Sequence, residues 1–294
     1  MNRHNVQFHL YADDTQFFNC CRSTDIASLR ARLSSCASDI ELWCRSPRLQ
    51  LNASKTEAIW FGSKPNLAKL SSTDCSIQVG TSTIQPSAIV RDLGFHLDSE
   101  LCMKQHVAKT AAACFYHLRR LRQIRRRVGE EVTTRLVIAL VISRLDYCNS
   151  LLAGLPLCTI EPLQRVQNAA ARLIFELSPS EHITPSLLQL HWLPIRWRVQ
   201  FKLCCFMHAV VTGRCPAYLG SIVQPATQSR SGLRPSSSDF SVPRTRTKFG
   251  ERAFCYAGPS AWNTLPRQIR ETVDSATFRK LLKTHYFTSA FDVV

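Results

Sequence analysis

Two adjacent aspartates, Asp13 and Asp14, constrain this chain most, because they stand between two short segments that favour β-strands. Residues 6–11 and 15–20 are rich in aliphatic and aromatic side chains, so the pattern predicts a β-hairpin with the acids at its tip. Adjacent carboxylates repel each other and are poor strand formers. Their position therefore suggests a pair held for a hard divalent cation such as Mg²⁺. An acidic turn on a surface hairpin is the alternative that these residues leave open.

The charge of the chain favours a polyanionic partner. The 294 residues include 37 Lys and Arg against 21 Asp and Glu, which gives a formal net charge of +16. Nucleic acid fits this excess better than an acidic membrane surface does. Charge that serves only solubility is the alternative, and the clustering of the basic residues argues against it.

The thirteen cysteines do not form a metal-binding pattern. No Cys-x-x-Cys spacing occurs, and the adjacent pairs Cys20-Cys21 and Cys204-Cys205 suit a tetrahedral ion poorly. We therefore expect no structural zinc. Their number is odd and no secretory signal precedes them, so we expect an intracellular protein of the nucleus or cytoplasm. The longest aliphatic run, 136–142, is far shorter than the roughly 20 residues of a membrane span, so no membrane partner is expected.

Short predicted elements follow the hairpin. Apolar residues at helical spacing predict a helix over 24–44, and the run 58–61 predicts a buried strand. Hairpin, helix and strand in this order are typical of the second half of a split βαβ unit. A Gly-Thr-Ser turn predicts a second hairpin over 77–85, and residues 90–97 predict another short strand.

Positive charge is concentrated on a predicted helix over 104–127. Its apolar positions share one face, which we expect to be buried: Val107, Ala111, Cys114, Phe115, Leu118 and Leu121. The other face can present basic side chains to phosphates. A solvated helix face is the alternative, but the segment has no acid, and a helix that is merely soluble usually mixes charge signs. The expected nucleic-acid-binding residues are Lys104, Lys109, Arg119, Arg120, Arg122, Arg125, Arg126 and Arg127.

The rest of the chain is predicted to be mostly helical. Apolar periodicity predicts helices over 130–152, 161–175, 195–211 and 277–287. Residues 213–248 are rich in Ser, Pro and Arg, and they predict a mobile basic loop that contains Arg230, Arg234, Arg244 and Arg246. A compact aromatic segment follows. The fold class predicted from the sequence is α+β, with strands first and helices after.

The Tyr-Ala-Asp-Asp-Thr-Gln sequence at 11–16 is one of several blocks that together resemble a known family. Residues 43–57, the Val-Arg-Asp-Leu-Gly sequence at 90–94 and the basic helix follow it. His-Trp-Leu-Pro-Ile at 191–195 and Gly-Pro-Ser-Ala-Trp-Asn-Thr-Leu-Pro at 258–266 come later. In this order the blocks resemble the reverse transcriptase of LINE-type (non-LTR) retrotransposons, near the jockey-like group. They are similar, in turn, to its catalytic hairpin, next palm motif, primer-gripping hairpin, thumb and C-terminal region.

The resemblance implies roles for three residues. Asp13 would be the main ligand of Mg²⁺ and Asp14 the auxiliary ligand. Lys55 would lie near the phosphates of the incoming nucleotide, where a basic side chain neutralises or protonates the leaving pyrophosphate. An exposed lysine in a polar turn is the alternative for Lys55. The implied partners are an RNA template and a DNA primer.

The resemblance also implies a domain organisation: a partial palm over 1–98, a thumb-like region over 99–155, a helical C-terminal region over 156–212, the basic loop over 213–248 and a final segment over 249–294. In the family, a further metal-binding aspartate and the nucleotide-selecting segment lie well upstream of the hairpin, and here ten residues precede Tyr11. We therefore expect the C-terminal part of a polymerase, inactive alone. A non-catalytic nucleic-acid-binding module and the non-functional product of a truncated element are the alternatives.

Overall fold

The chain forms two compact units, Met1–Cys102 and Met103–Val294. The computed structural model describes residues 2–45, 49, 51–70, 73–226 and 239–292. In these residues the first unit combines helices with small antiparallel sheets, and the second is helical apart from one isolated bridge. The α+β class is therefore confirmed. The expected boundary at 98 lies close to the observed one, and the boundaries at 155, 212 and 248 fall inside the second unit.

The first unit contains three β-hairpins. They consist of β1 (Gln7–Tyr11) and β2 (Asp14–Phe18), β3 (Ile77–Val79) and β4 (Ser82–Ile84), and β5 (Ile89–Asp92) and β6 (Phe95–Asp98). In the part of the chain that the structure describes, each hairpin is a separate two-stranded sheet. The hairpins expected at 11–16, 77–85 and 90–94 are therefore present, but they do not join into one palm-like sheet. The single strand predicted over 90–97 is wrong, because Leu93 and Gly94 form a turn inside it.

The strand predicted over 58–61 is wrong. Only Ala58 pairs, through a single parallel bridge to Pro86. Pro86 has no N–H to extend a ladder. The indole of Trp60 instead donates a hydrogen bond to the carbonyl of Cys75 at 3.1 Å. A short apolar run cannot by itself distinguish a strand from an irregular segment packed on a core.

The helix α1 (Ile26–Arg45) supplies the core of the first unit. The buried side chains Ile26, Leu29, Leu33 and Cys36 recur every three or four residues, as the sequence predicted, and Ala37 lies beside them. Trp43, at the end of the predicted apolar face, is exposed instead. Val6 joins this cluster, and Phe17, Trp60 and Ile77 pack against it. Phe17 therefore fixes one face of the β1–β2 hairpin on the helix. A short helix α2 (Lys64–Ala68) follows.

The second unit begins with a helical hairpin. The helix α3 spans Lys104–Val137 but is broken at Gly129, whose φ of 75° and ψ of 178° are not helical and suit glycine. The thiol of Cys114 lies 3.9 Å from the carbonyl oxygen of Val141, so the halves before and after Gly129 run side by side. The second half continues through a π-helical turn at Ile138–Ile142 into α4 (Ser143–Asp146).

Seven further helices complete the second unit in its described residues. They are α5 (Leu157–Phe175), α6 (Thr184–Gln189), α7 (Ile195–Val211), α8 (Ala217–Ser221), α9 (Phe254–Asn263), α10 (Arg267–Arg270) and α11 (Ser275–Phe291). The helices predicted over 161–175, 195–211 and 277–287 are therefore confirmed. Trp262 and Phe278 are fully buried, and the ring of His208 stacks on Phe278 with the centroids 4.1 Å apart.

The segment 213–248 was predicted to be a mobile basic loop, and its described parts make specific contacts near Pro225 and Phe240. Phe240 forms a bridge with Pro225, and the Asn263 side chain accepts a hydrogen bond from the Phe240 N–H at 3.0 Å and donates one to its carbonyl at 2.7 Å. Arg270 forms an ion pair with Asp239. The sequence at 258–266 therefore has a structural role here. Arg244 and Arg246 are exposed, and the predicted loop residues Arg230 and Arg234 lie outside the described residues.

Candidate metal hairpin and candidate nucleic-acid interface

The two aspartates lie at the tip of the β1–β2 hairpin, as predicted. Tyr11 pairs with Asp14, so Ala12 and Asp13 form the turn. Ala12 has a φ of 52°, in the left-handed region that a residue with a Cβ enters at a cost of about 1–2 kcal/mol. Such strain is concentrated at functional sites, although it does not identify a function alone. Both carboxylates are exposed to solvent.

A third carboxyl group, that of Asp92 at the end of β5, approaches one face of this hairpin. The Gln16 side-chain amide donates a hydrogen bond to Asp92 Oδ1 at 2.5 Å. Burial and then the nearby charge of Asp14 raise the pKa of Asp92, while His9 and the Gln16 hydrogen bond lower it. Because alternate strand residues share a face, Asp14, Gln16 and the cross-strand His9 lie on the side that meets Asp92.

The roles that the resemblance implied for Asp13 and Asp14 stay a prediction. Asp14, expected to be the auxiliary ligand, is the acid whose charge acts on the third carboxyl group. Asp13, expected to be the main ligand, is in the turn. Among the described residues, no group of three or more His, Cys, Asp or Glu side chains is arranged to hold a metal ion. The carboxyl groups of Asp13, Asp14 and Asp92 therefore do not form an assembled metal site in the described residues.

Lys55 is on a separate short helical turn. It ends the 3₁₀ turn Ala53–Lys55, and the side chain of Asn52 caps this turn by accepting a hydrogen bond from the Ser54 N–H at 3.0 Å. The Lys55 side chain is exposed. Within the described residues it forms an ion pair with neither Asp13 nor Asp14. This position agrees with the alternative for Lys55, an exposed lysine in a polar turn.

Seven of the eight basic residues predicted on α3 are exposed, and the first half of the helix has no acid. Its buried face consists of Val107, Ala111, Cys114, Leu118 and Leu121, which were predicted to be inside. The helix thus presents a basic surface to solvent, which we define by the exposed residues Lys104, Lys109, Arg119, Arg120, Arg122, Arg126 and Arg127.

Arg125 does not belong to this basic surface, which corrects the prediction. Its side chain is only 9% exposed. The guanidinium donates from Nε to the carbonyls of Leu173 and Ile174, both at 3.2 Å, and from Nη2 to Ile174 at 2.6 Å. These carbonyls are in the last turn of α5, where a helix has no further N–H groups to satisfy them. Arg125 therefore caps the C-terminus of α5, and it cannot contact phosphate while it does so.

Phe115 was predicted to be buried, and this prediction is wrong. Its ring was expected in the buried face, but it is 38% exposed, and the neighbouring Tyr116 is 48% exposed. Helical spacing in the sequence already indicates the exposure of Phe115 in part. Cys114 and Leu118 already occupy the centre of the buried face, and Phe115 lies beside that centre. Both rings therefore lie among the exposed arginines.

Comparison with known proteins adds no relative. The chain matches no known protein family, no curated protein and no solved structure. Among the helices that the structure describes, none is long and apolar enough to cross a bilayer.

Proposed function

We propose that this chain binds nucleic acid through the basic surface of α3 and derives from the RNA-directed DNA polymerase of a LINE-type retrotransposon. The observation that supports binding most directly is the set of seven exposed cations on a helix half without any acid. Such a helix gives affinity for phosphates without a choice of sequence. The buried face anchors the helix, so the basic side chains lie on a rigid element.

The resemblance and the hairpin tip support the polymerase ancestry. Two carboxylates at the turn of a short hairpin suit a divalent ion that clamps transferring phosphates. The left-handed backbone of Ala12 is compatible with a turn retained for a purpose other than stability. Asp92 adds a third carboxyl group near Asp14. In this proposal Mg²⁺ is the cofactor, and an RNA template and a DNA primer are the partners.

Catalysis is a separate part of the proposal. Two-metal phosphoryl transfer needs carboxylates from several elements that hold two ions about 3.5–4 Å apart. A hairpin pair exposed to water should bind Mg²⁺ weakly, because Mg²⁺ gives up its water ligands reluctantly. We therefore expect the purified 294-residue chain to show no primer extension on an RNA template with Mg²⁺ or Mn²⁺. Incorporation that depends on the template and disappears in Asp13→Ala or Asp14→Ala would contradict this expectation.

Binding is tested by titrating labelled RNA and single-stranded DNA at several salt concentrations. We expect little sequence preference and a steep fall of log affinity with log salt. Changing Arg119, Arg122 and Arg126 together to Gln should weaken binding and flatten the slope by about 2, at roughly 0.7 per lost phosphate contact on a single strand.

The matched control changes three exposed arginines outside the basic surface, Arg135, Arg165 and Arg267, to Gln. Each of these forms an ion pair with a glutamate four residues away in the chain. The control should therefore leave both affinity and slope near those of the unchanged protein. If the change of Arg119, Arg122 and Arg126 has no larger effect than the control, the basic surface is only a solvated helix face, and the proposal of nucleic-acid binding is wrong.

A further inference from the structure

Two aromatic rings are part of the basic surface of α3. Arg120 holds one of them: its guanidinium carbon lies 5.7 Å from the centroid of the Tyr116 ring, and its Nη1 donates a hydrogen bond to the Tyr116 hydroxyl at 2.8 Å. The Tyr116 ring remains about half exposed, and Phe115 beside it is 38% exposed. Burial of the two rings within the second unit therefore does not account for their position.

Helical spacing places each ring at the start of a row of arginines. Phe115, Arg119, Arg122 and Arg126 follow the spacing that puts residues on one face, and Tyr116, Arg120 and Arg127 form the adjoining row. At 1.5 Å per residue the rows extend for about 18 Å along the helix. A polyanion that follows these rows meets a flat ring at one end.

We propose that this surface binds single-stranded nucleic acid in preference to duplex, with unpaired bases stacked on Tyr116 and Phe115. The inference rests on the proposed function and specifies its substrate class. We call the surface the arginine–aromatic surface and define it by Phe115, Tyr116, Arg119, Arg120, Arg122 and Arg126. The arginines contact the phosphates, and the rings contact the faces of the bases.

The preference follows from the chemistry of the two kinds of side chain. Phosphates are present in single strands and duplexes alike, so the arginines bind both. A base exposes its face to an aromatic ring only when it is unpaired and unstacked, and such stacking tolerates every base. The rings therefore add affinity for a single strand and none for a duplex.

An anionic membrane surface is a less suitable partner. An interfacial helix needs a wide apolar face to insert among lipids. On α3 that face is formed by Val107, Ala111, Cys114, Leu118 and Leu121, and it is buried within the protein. Two separate rings do not replace it, whereas they match the spaced, flat bases of a single strand.

The experiment compares a labelled single-stranded RNA with the duplex of the same sequence, in fluorescence anisotropy titrations with the full chain. Changing both Phe115 and Tyr116 to Leu should weaken binding of the single strand by at least about fivefold and that of the duplex by less than about twofold. Tyr116→Trp should strengthen binding of the single strand, because a larger ring stacks better. Tyr218→Leu is the matched control, since Tyr218 is exposed on α8 and lies outside the surface.

Several results would overturn the inference. In one, the leucine variant binds single strand and duplex as tightly as the unchanged protein does. In another, it loses affinity for both equally while its melting temperature is unchanged. The inference also fails if the unchanged protein binds anionic vesicles as tightly as single-stranded RNA. These results differ from failure of the proposed function, in which the change of Arg119, Arg122 and Arg126 to Gln leaves binding of single strand and duplex untouched. If the leucine variant melts earlier, Tyr116→Trp alone decides: tighter binding of the single strand supports the inference, and unchanged binding refutes it.

Discussion

Replacing Arg125 by Met tests whether this residue is a cap rather than a binding residue. Methionine retains much of the aliphatic stem but donates no hydrogen bond. The change removes three donor contacts from two carbonyls at the end of α5. A buried polar group left without a partner costs about 1–3 kcal/mol. Relief from burying the guanidinium charge offsets part of the loss. We therefore expect the free energy of unfolding of the second unit to fall by about 2–4 kcal/mol.

The neighbouring Arg126 provides a matched control. It is exposed on the same helix, so Arg126→Met should change stability by less than about 0.5 kcal/mol. The loss of stability in Arg125→Lys should lie between those of Arg125→Met and Arg126→Met. A lysine ammonium lacks the planar fork with which the guanidinium reaches both carbonyls. Urea denaturation followed by far-UV circular dichroism measures the differences, provided that the m-values agree. If Arg125→Met is no more destabilising than Arg126→Met, the guanidinium does not cap α5.

Two further predictions concern the hairpin turn and the buried thiols. Ala12→Gly should stabilise the first unit by about 0.5–1 kcal/mol, because relief of the left-handed strain exceeds the added entropy of the unfolded chain. Ala12→Val should destabilise the same unit. Slower hydrogen exchange in β1 and β2 of the glycine variant would show the gain, and equal exchange in both variants would contradict it. Burial raises the pKa of Cys114 to about 11 and that of Cys204 to about 12. Because each pKa is raised in the folded state, the stability that the protonated thiols contribute is complete below pH 9 and is lost as pH rises from there towards 11–12. Denaturation at stepped pH should show a shallower loss of stability in Cys204→Ala than in the unchanged protein. An identical loss would refute the raised pKa of Cys204. Under native conditions, alkylation followed by mass spectrometry should label exposed Cys158 long before either buried thiol.

The sequence predicted the elements that local chemistry controls. The acidic hairpin tip, the buried stripe of α1 and the helices over 161–175 and 195–211 follow from strand propensity and from periodicity. The break at Gly129 falls between the helices predicted to end at 127 and to begin at 130. These features depend on residues that are close in the chain, and the pattern therefore contains them.

One error had a local signal, because helical spacing continues the buried stripe of α3 from Leu118 and Leu121 to Arg125 and not to Arg126. Only the packing of α5 against α3, however, supplies the carbonyls that the Arg125 guanidinium binds. The other errors concern contacts between distant residues. Asp92 of one hairpin meets Gln16 and Asp14 of another, which no spacing in the sequence reveals. The strand expected at 58–61 failed because its pairing needed a partner strand, and Pro86 cannot extend the ladder.

The clamp of Asn263 on Phe240 has a consequence for how this chain can change. With Phe240 bridged to Pro225 and held by Asn263, two positions that are 15 residues apart in the chain lie side by side. Closing a longer loop between fixed ends costs only about 0.6 kcal/mol for each doubling of its length. We therefore expect an insertion between Pro225 and Phe240 to change the free energy of unfolding of the helical unit little, whether the new sequence is acquired in evolution or introduced as a tag.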